Sequence, residues 1–321
     1  MELHSEAIKM KSRKSVIGSR YATSTRFTSR NSNQGQARAA WLLGSPALIL
    51  IFVFMLLPFI MSIGFSFTNK MLVQNINNPL RWTGFYNYQK LFQQKETLTA
   101  FLNTFKYALM VVPSILILAT LLAISVNNRI KGIAVFRLIY FSPQVVSTIV
   151  VAIIWWFIFS PSSDGLLNSI LESLGLGSRT WLKDPKLALT CISVMSIWQD
   201  IGMQMIIILG GLQFIPQELY EAATVDGCTR FQKMIHITLP LLKNTLNFVL
   251  ITMTIASLKL FTQVYVLTEG GPQNKTLSIV YLMYLTGFTR SQVGYSSAMA
   301  VVFFILVLCI SMIQNKLNTE D

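Results

Sequence analysis

Long apolar runs alternate along this chain with short polar gaps. The runs fall at about 41–68, 101–126, 138–159, 187–212, 240–266 and 296–315, each with the about 20 mainly apolar residues that a helix needs to cross a bilayer. Lipid offers the backbone no hydrogen-bond partner, so every run is predicted to be helical. The fold class expected is an all-α, polytopic integral membrane protein with six transmembrane helices. Pro46 and Pro58 mark two possible kinks in the first run. The gap at about 69–100 holds the aromatic run Trp82-Thr83-Gly84-Phe85-Tyr86-Asn87-Tyr88, then Leu91-Phe92. Such rings at that depth read as an interfacial belt before direct substrate contact. Asn127-Asn128-Arg129-Ile130-Lys131-Gly132 is a short inner turn with two cations, and Ser160-Pro161-Ser162-Ser163-Asp164-Gly165 is turn chemistry leading into outer-surface helix and loop up to Lys186. No internal repeat is visible, which weighs against a carrier built from inverted halves.

Composition agrees with that pattern. Hydrophobic residues make up 53% and charged residues 12%, with a mean hydropathy of +0.54, too apolar for a soluble domain of this length. The net charge of +13 owes much to residues 1–40, where Lys9, Lys11, Arg13, Lys14, Arg20, Arg26, Arg30 and Arg38 face only Glu2 and Glu6. Cations flanking a first span set orientation, so residues 1–40 read as a disordered cytoplasmic tail and not as a nucleic-acid arm. Residues 41–321 form the membrane domain, and with six spans both termini face the cytoplasm. Cys191, Cys228 and Cys309 are odd in number and far apart, without disulfide or metal-ligand spacing. The only histidines are His4 and His236, neither within a span. No catalytic constellation, metal site or cofactor is expected, and no G-x-x-x-x-G-K-[ST] phosphate loop is present.

The gap at 213–239 is unusual in carrying Glu218, Glu221, Asp226, Arg230 and Lys233 in a stretch too short for a domain. It reads as a pair of short helices. Pro216 suits a first helical position, Glu218 falls where the helix dipole favours an anion, and Gly227 marks the break. The second helix runs from about Thr229 to His236, and Leu239-Pro240 turns the chain into the fifth span. On the first helix Leu219, Ala222 and Ala223 share a face, apolar and small enough for helix-in-groove docking, with Glu218, Glu221 and Asp226 beside it to meet partner cations. The same pattern on physics alone also describes an amphipathic helix that merely caps the bundle.

The residues carry a resemblance. Glu221-Ala222-Ala223, then Gly227, then Ile237, Leu239 and Pro240 at their fixed spacing resemble the EAA loop of permease subunits of binding-protein-dependent ABC importers. Leu267-Thr268-Glu269-Gly270-Gly271-Pro272 with Thr276 and Tyr281, and Gly84, Asn87-Tyr88 and Leu91-Phe92 in the first outer loop, are similar to the MalF/UgpA/LacF-type carbohydrate permeases, which usually place a small residue where Glu269 stands. The ending Lys316-Leu317-Asn318-Thr319-Glu320-Asp321 suits that half of the pair better than the basic-glycine tail of its companion. Over about residues 41–315 the resemblance implies a type I ABC importer permease fold in the plasma (inner) membrane. It implies a heterodimer with a second permease, two ATP-binding subunits that hold the coupling loop, and an extracytoplasmic solute-binding protein delivering a sugar, oligosaccharide or polyol.

Candidates for the substrate path come from polar and aromatic residues at membrane depth. The fourth span offers Trp198, Gln199, Asp200 and Gln204, and the fifth offers Phe261, Gln263 and Tyr265 beside Ser257 and Lys259. Aromatic faces with amides and hydroxyls suit sugars, although an aromatic in a span is more often packing. Asp200 either faces a cavity or makes a helix–helix contact, and an Asp200–Lys259 ion pair is a further reading. The rival function is an ion-coupled secondary transporter using those two charges.

Overall fold

The computed structural model describes residues 29–74, 76–127, 132–162 and 165–319. The basic tail before residue 29, the turn cations Arg129 and Lys131, the turn residues Ser163 and Asp164, and the last two residues Glu320 and Asp321 lie outside the described residues. The chain divides into two compact units, 1–60 and 61–321.

In the first unit a helix, α1 (Ser29–Ile51), begins well ahead of the apolar run and continues into a π-helical turn (Phe52–Leu56). Trp41, Leu43 and Phe54 are exposed on it. The π turn ends two residues before Pro58, which has no N–H to return to the preceding turn and so breaks the regular ladder. The chain goes on as α2 (Leu57–Ser66).

In the second unit α3 (Tyr86–Gln93) leads to the long α4 (Lys95–Val126), followed by α5 (Ile133–Val145), α6 (Thr148–Ile158) and α7 (Leu166–Ser173). Then come α8 (Ala188–Gln213), α9 (Gln217–Val225), α10 (Arg230–Lys233) and α11 (Leu239–Leu241). The unit ends with α12 (Lys243–Leu258), α13 (Thr262–Leu267), α14 (Ile279–Tyr284) and α15 (Val293–Thr319). Among the described residues four helices are long and apolar enough to cross a membrane, or up to six spans when two bent pairs each count as one.

The runs and the helices differ at two breaks, one inside the first bent pair and one beyond the second. The run at 138–159 is two helices, α5 and α6, meeting at 98° across Val146-Ser147. The run at 240–266 is α12, a break at Lys259-Leu260-Phe261, and α13. Apolarity measures length in lipid but not straightness, and each break is stabilised by a side chain from elsewhere. Gln199 of α8 donates to Val146 O at 3.3 Å, and the buried Ser278 hydroxyl donates to Leu260 O at 2.6 Å. A freed carbonyl at membrane depth needs such a partner.

α8 is the central post, packed by α4, α5, α12 and α13, while α6 packs mainly on α13. Small residues let the backbones approach. Ala119 and Ala123 are fully buried on α4, and a Cβ at Gly202 of α8 would lie 1.8 Å from Tyr140 O of α5. Ile115, Ile192, Met195, Met205, Ile208 and Val249 fill the centre. At the other end of the unit the Asn87 amide donates to Ser66 O and Thr68 O at 2.8 and 2.9 Å, so the Asn-Tyr pair of the first loop anchors the end of α2.

Candidate functional site

The element between the fourth and fifth spans is a helical hairpin held together by backbone caps and by side-chain bonds of its own. Pro216 is the residue preceding α9, one place ahead of the first helical position, and Glu218 stands in the first turn. The end of α9 is a Schellman motif: Cys228 N–H donates to Ala223 O at 2.9 Å and Gly227 N–H to Thr224 O at 3.1 Å. Gly227 has φ +75°, the left-handed backbone this cap requires and glycine adopts without cost. Thr229 and Gln232 form a reciprocal capping box at the start of α10, with Gln232 Oε1 accepting from Thr229 N–H at 2.8 Å. The helix continues through a π turn (Met234–Thr238) into α11, again ending two residues before a proline, Pro240. The turn into the span comes at Leu242, where α11 and α12 meet at a 67° bend, and not at Leu239-Pro240. Two bonds tie the arms together: Tyr220 Oη with Thr238 Oγ1 at 2.9 Å, and Lys233 Nζ to Thr224 Oγ1 at 2.5 Å.

Glu218, Glu221, Ala222, Asp226 and Gly227 are all exposed on this hairpin. Ala223 is the exception, buried at 8% exposure, so it packs inward and only Leu219 and Ala222 of that stripe are open. Ile237 and Leu239 are half-buried and Pro240 is exposed. Val225 and Phe231 add exposed apolar surface on either side of the glycine turn.

The polar residues of α8 fall into a different setting. Gln199 is buried, and its amide reaches Thr148 Oγ1 at 3.4 Å as well as Val146 O. With its nitrogen turned to the two acceptors around it, the Gln144 amide donates to Gln199 O and Asp200 Oδ1, both at 3.1 Å. Asp200 is thus engaged in a helix–helix contact at the α5–α6 break. Asp200 and Lys259 form no ion pair among the described residues, and Lys259 is exposed. Trp198 is half-exposed, its ring edge-on to Trp155 at 5.8 Å. Gln204 is buried, and its Oε1 has no protein partner among the described residues.

Phe261 and Tyr265 stack at 5.7 Å, and Tyr281 and Tyr284 of α14 join them at 5.5 to 6.1 Å. Phe288 extends the row from Tyr284 at 5.5 Å. Gln263 is half-buried between them in sequence. Sequence reasoning did not single out Tyr284, Phe288 or Gln144. The spacing of Tyr281, Tyr284 and Phe288 at i, i+3 and i+7 was the available signal for one helix face; nothing in sequence marked Gln144. Glu269 has φ +50°, which explains why a small residue suits that position.

Residues 82–319, the hairpin included, match the family described as binding-protein-dependent transport system inner membrane component. The chain belongs to this family. The arabinooligosaccharides transport system permease protein AraP of Bacillus subtilis (strain 168) is 32% identical over 87% of this chain and 88% of that protein. The trehalose/maltose transport system permease protein MalF of Thermococcus litoralis is 33% identical over 88% of this chain and 94% of its own. The fold is similar to a chain in the crystal structure of a bacterial ABC transporter that imports the acidic polysaccharide alginate, with TM-score 0.78 and 24% identity over 90% of this chain and 99% of that one. This permease therefore has the type I ABC importer permease fold and is a multi-pass membrane transport component. Membership overturns the ion-coupled carrier, and with it the use of Asp200 and Lys259 as coupling charges.

Proposed function

We propose that this permease imports a sugar, oligosaccharide or related polyol handed over by an extracytoplasmic solute-binding protein. It works in a heterodimer with a second permease, above two ATP-binding subunits, with both termini in the cytoplasm. The observation that carries the reading is the hairpin: a self-closed helical element, bent from its span, with Glu218, Glu221, Ala222 and Asp226 all open to a partner. Closure of the ATP-binding subunits pulls residues 216–241, and the 67° elbow at Leu242 passes that movement to α12, biasing one two-state element from both ends. Ala222 permits the close approach, and the carboxylates supply charge for the partner's cations.

The names of the relatives support a carbohydrate. So does the row of rings at Phe261, Tyr265, Tyr281 and Tyr284, since stacked aromatic faces match the C–H faces of sugar rings. Gln263, Trp198 and Gln204 are the neighbouring path candidates, while Gln199 and Asp200 hold the broken third span. The test is co-purification. Ala222→Arg places a long cation on the docking face, and the expected result is a permease that reaches the membrane without its ATP-binding subunits and takes up no substrate. Retention of those subunits at the wild-type ratio would overturn the docking assignment.

A further inference from the structure

Where the hairpin meets the ends of α4 and α8 lie two adjoining cavities of about 640 and 730 Å³ that share Asn127, Leu212 and Tyr220 as walls. The first is lined by Arg137 of α5, the second by Arg230 and Lys233 of α10. Among the described residues no carboxylate lines either cavity. Three cations therefore line the two halves of this shared recess at the ends of α4 and α8, Arg137 one half and Arg230 with Lys233 the other. Their bonds to protein leave capacity to spare. Arg137 reaches Val126 O through Nη2 at a long 3.4 Å, while its buried Nε has no acceptor among the described residues. Lys233 donates one of its three protons to Thr224. A buried guanidinium nitrogen without an acceptor is costly unless something anionic completes it.

We infer that this recess is a binding site for a phosphate group, contributed either by the headgroup of an anionic lipid or by a small soluble phosphate. Two arginines present flat forks that match phosphate oxygens, and a lysine adds a point charge. Basic pockets among helix ends on the cytoplasmic side are suited to such headgroups. Bound there, the phosphate bridges α10 to α5 and ties the hairpin to the spans behind it. That consequence rests on the hairpin being the coupling lever, whereas the binding itself does not.

The experiment uses the full-length chain purified in detergent. Phosphatidylglycerol is titrated and the bound lipid counted by native mass spectrometry; inorganic phosphate is followed separately by equilibrium dialysis. Arg230→Gln/Lys233→Gln alters only exposed or half-exposed side chains, and adding Arg137→Gln completes the set. At about a kilocalorie per cation, the double variant is expected to bind roughly 30-fold more weakly, and the triple more weakly still. Loss of lipid binding alone assigns the site to a headgroup, and loss of phosphate binding assigns it to a soluble anion. Binding of both probes that is equal in wild type and variants, or absent from all, overturns the proposal. Because the ATP-binding subunits are not present, failure of the docking reading leaves this measurement untouched.

Discussion

In the hairpin, acidic side chains stand in the open while backbone bonds, a Schellman glycine and a capping box do the holding. In the seam around the α5–α6 break the arrangement is reversed: Gln144 and Gln199 are bound to carbonyls and a carboxylate of neighbouring helices, and the backbone depends on them. The difference teaches where function and folding can be separated. An exposed carboxylate of the hairpin can change without altering what keeps the hairpin folded, whereas Gln144 or Gln199 of the seam cannot change without loosening a span.

That contrast can be broken most sharply at Gly202. Gly202→Val pushes carbon into the Tyr140 carbonyl of α5 and is expected to cost more than about 3 kcal/mol, with little intact protein recovered from the membrane; normal yield and thermal stability would show that α5 and α8 are not locked. Next comes Gly227→Leu, which forces a side chain into left-handed backbone at about 1–2 kcal/mol. Uptake should disappear while the chain remains in the membrane, as read by transport assay and immunoblot side by side. Should transport continue at the wild-type rate with ATP-binding subunits attached, the hairpin is not the lever. Gln199→Leu sharpens the other half of the comparison: it strips the partner from Val146 O and should lower stability in detergent by about 1–2 kcal/mol. A transport defect without any stability loss would instead put Gln199 in the substrate path. The smallest effect is expected from Thr229→Ala, about 1 kcal/mol from losing a helix cap, seen as faster amide exchange in residues 229–233 and no change elsewhere.

Much of this architecture can be read from residues. Six apolar runs correspond to four unbroken membrane-length helices and two bent pairs among the described residues, and the spacing from Glu221 to Pro240 locates the hairpin, because caps, glycine turns and prolines act locally. The breaks at Val146-Ser147 and Lys259–Phe261 were not legible, because what permits them is a polar side chain 53 residues away in one case and 18 in the other. The burial of Ala223 was missed for a related reason: helical periodicity gives a shared stripe, but only the packing of the hairpin decides which part of it is covered. For Asp200 the residues leave open a cavity, a helix–helix contact and a pair with Lys259, and only the fold brings Gln144 to it.

Gly227 has a positive φ, yet nothing lies within 4 Å of where a Cβ would be built. What the position demands is handedness and not smallness. A mirror-image alanine introduced by chemical ligation belongs naturally in that backbone region, so it should preserve the turn that an ordinary L-alanine strains, and make the unfolded chain less free than glycine does. The joint on which transport is proposed to depend would then be stiffer than the natural one while keeping the same shape.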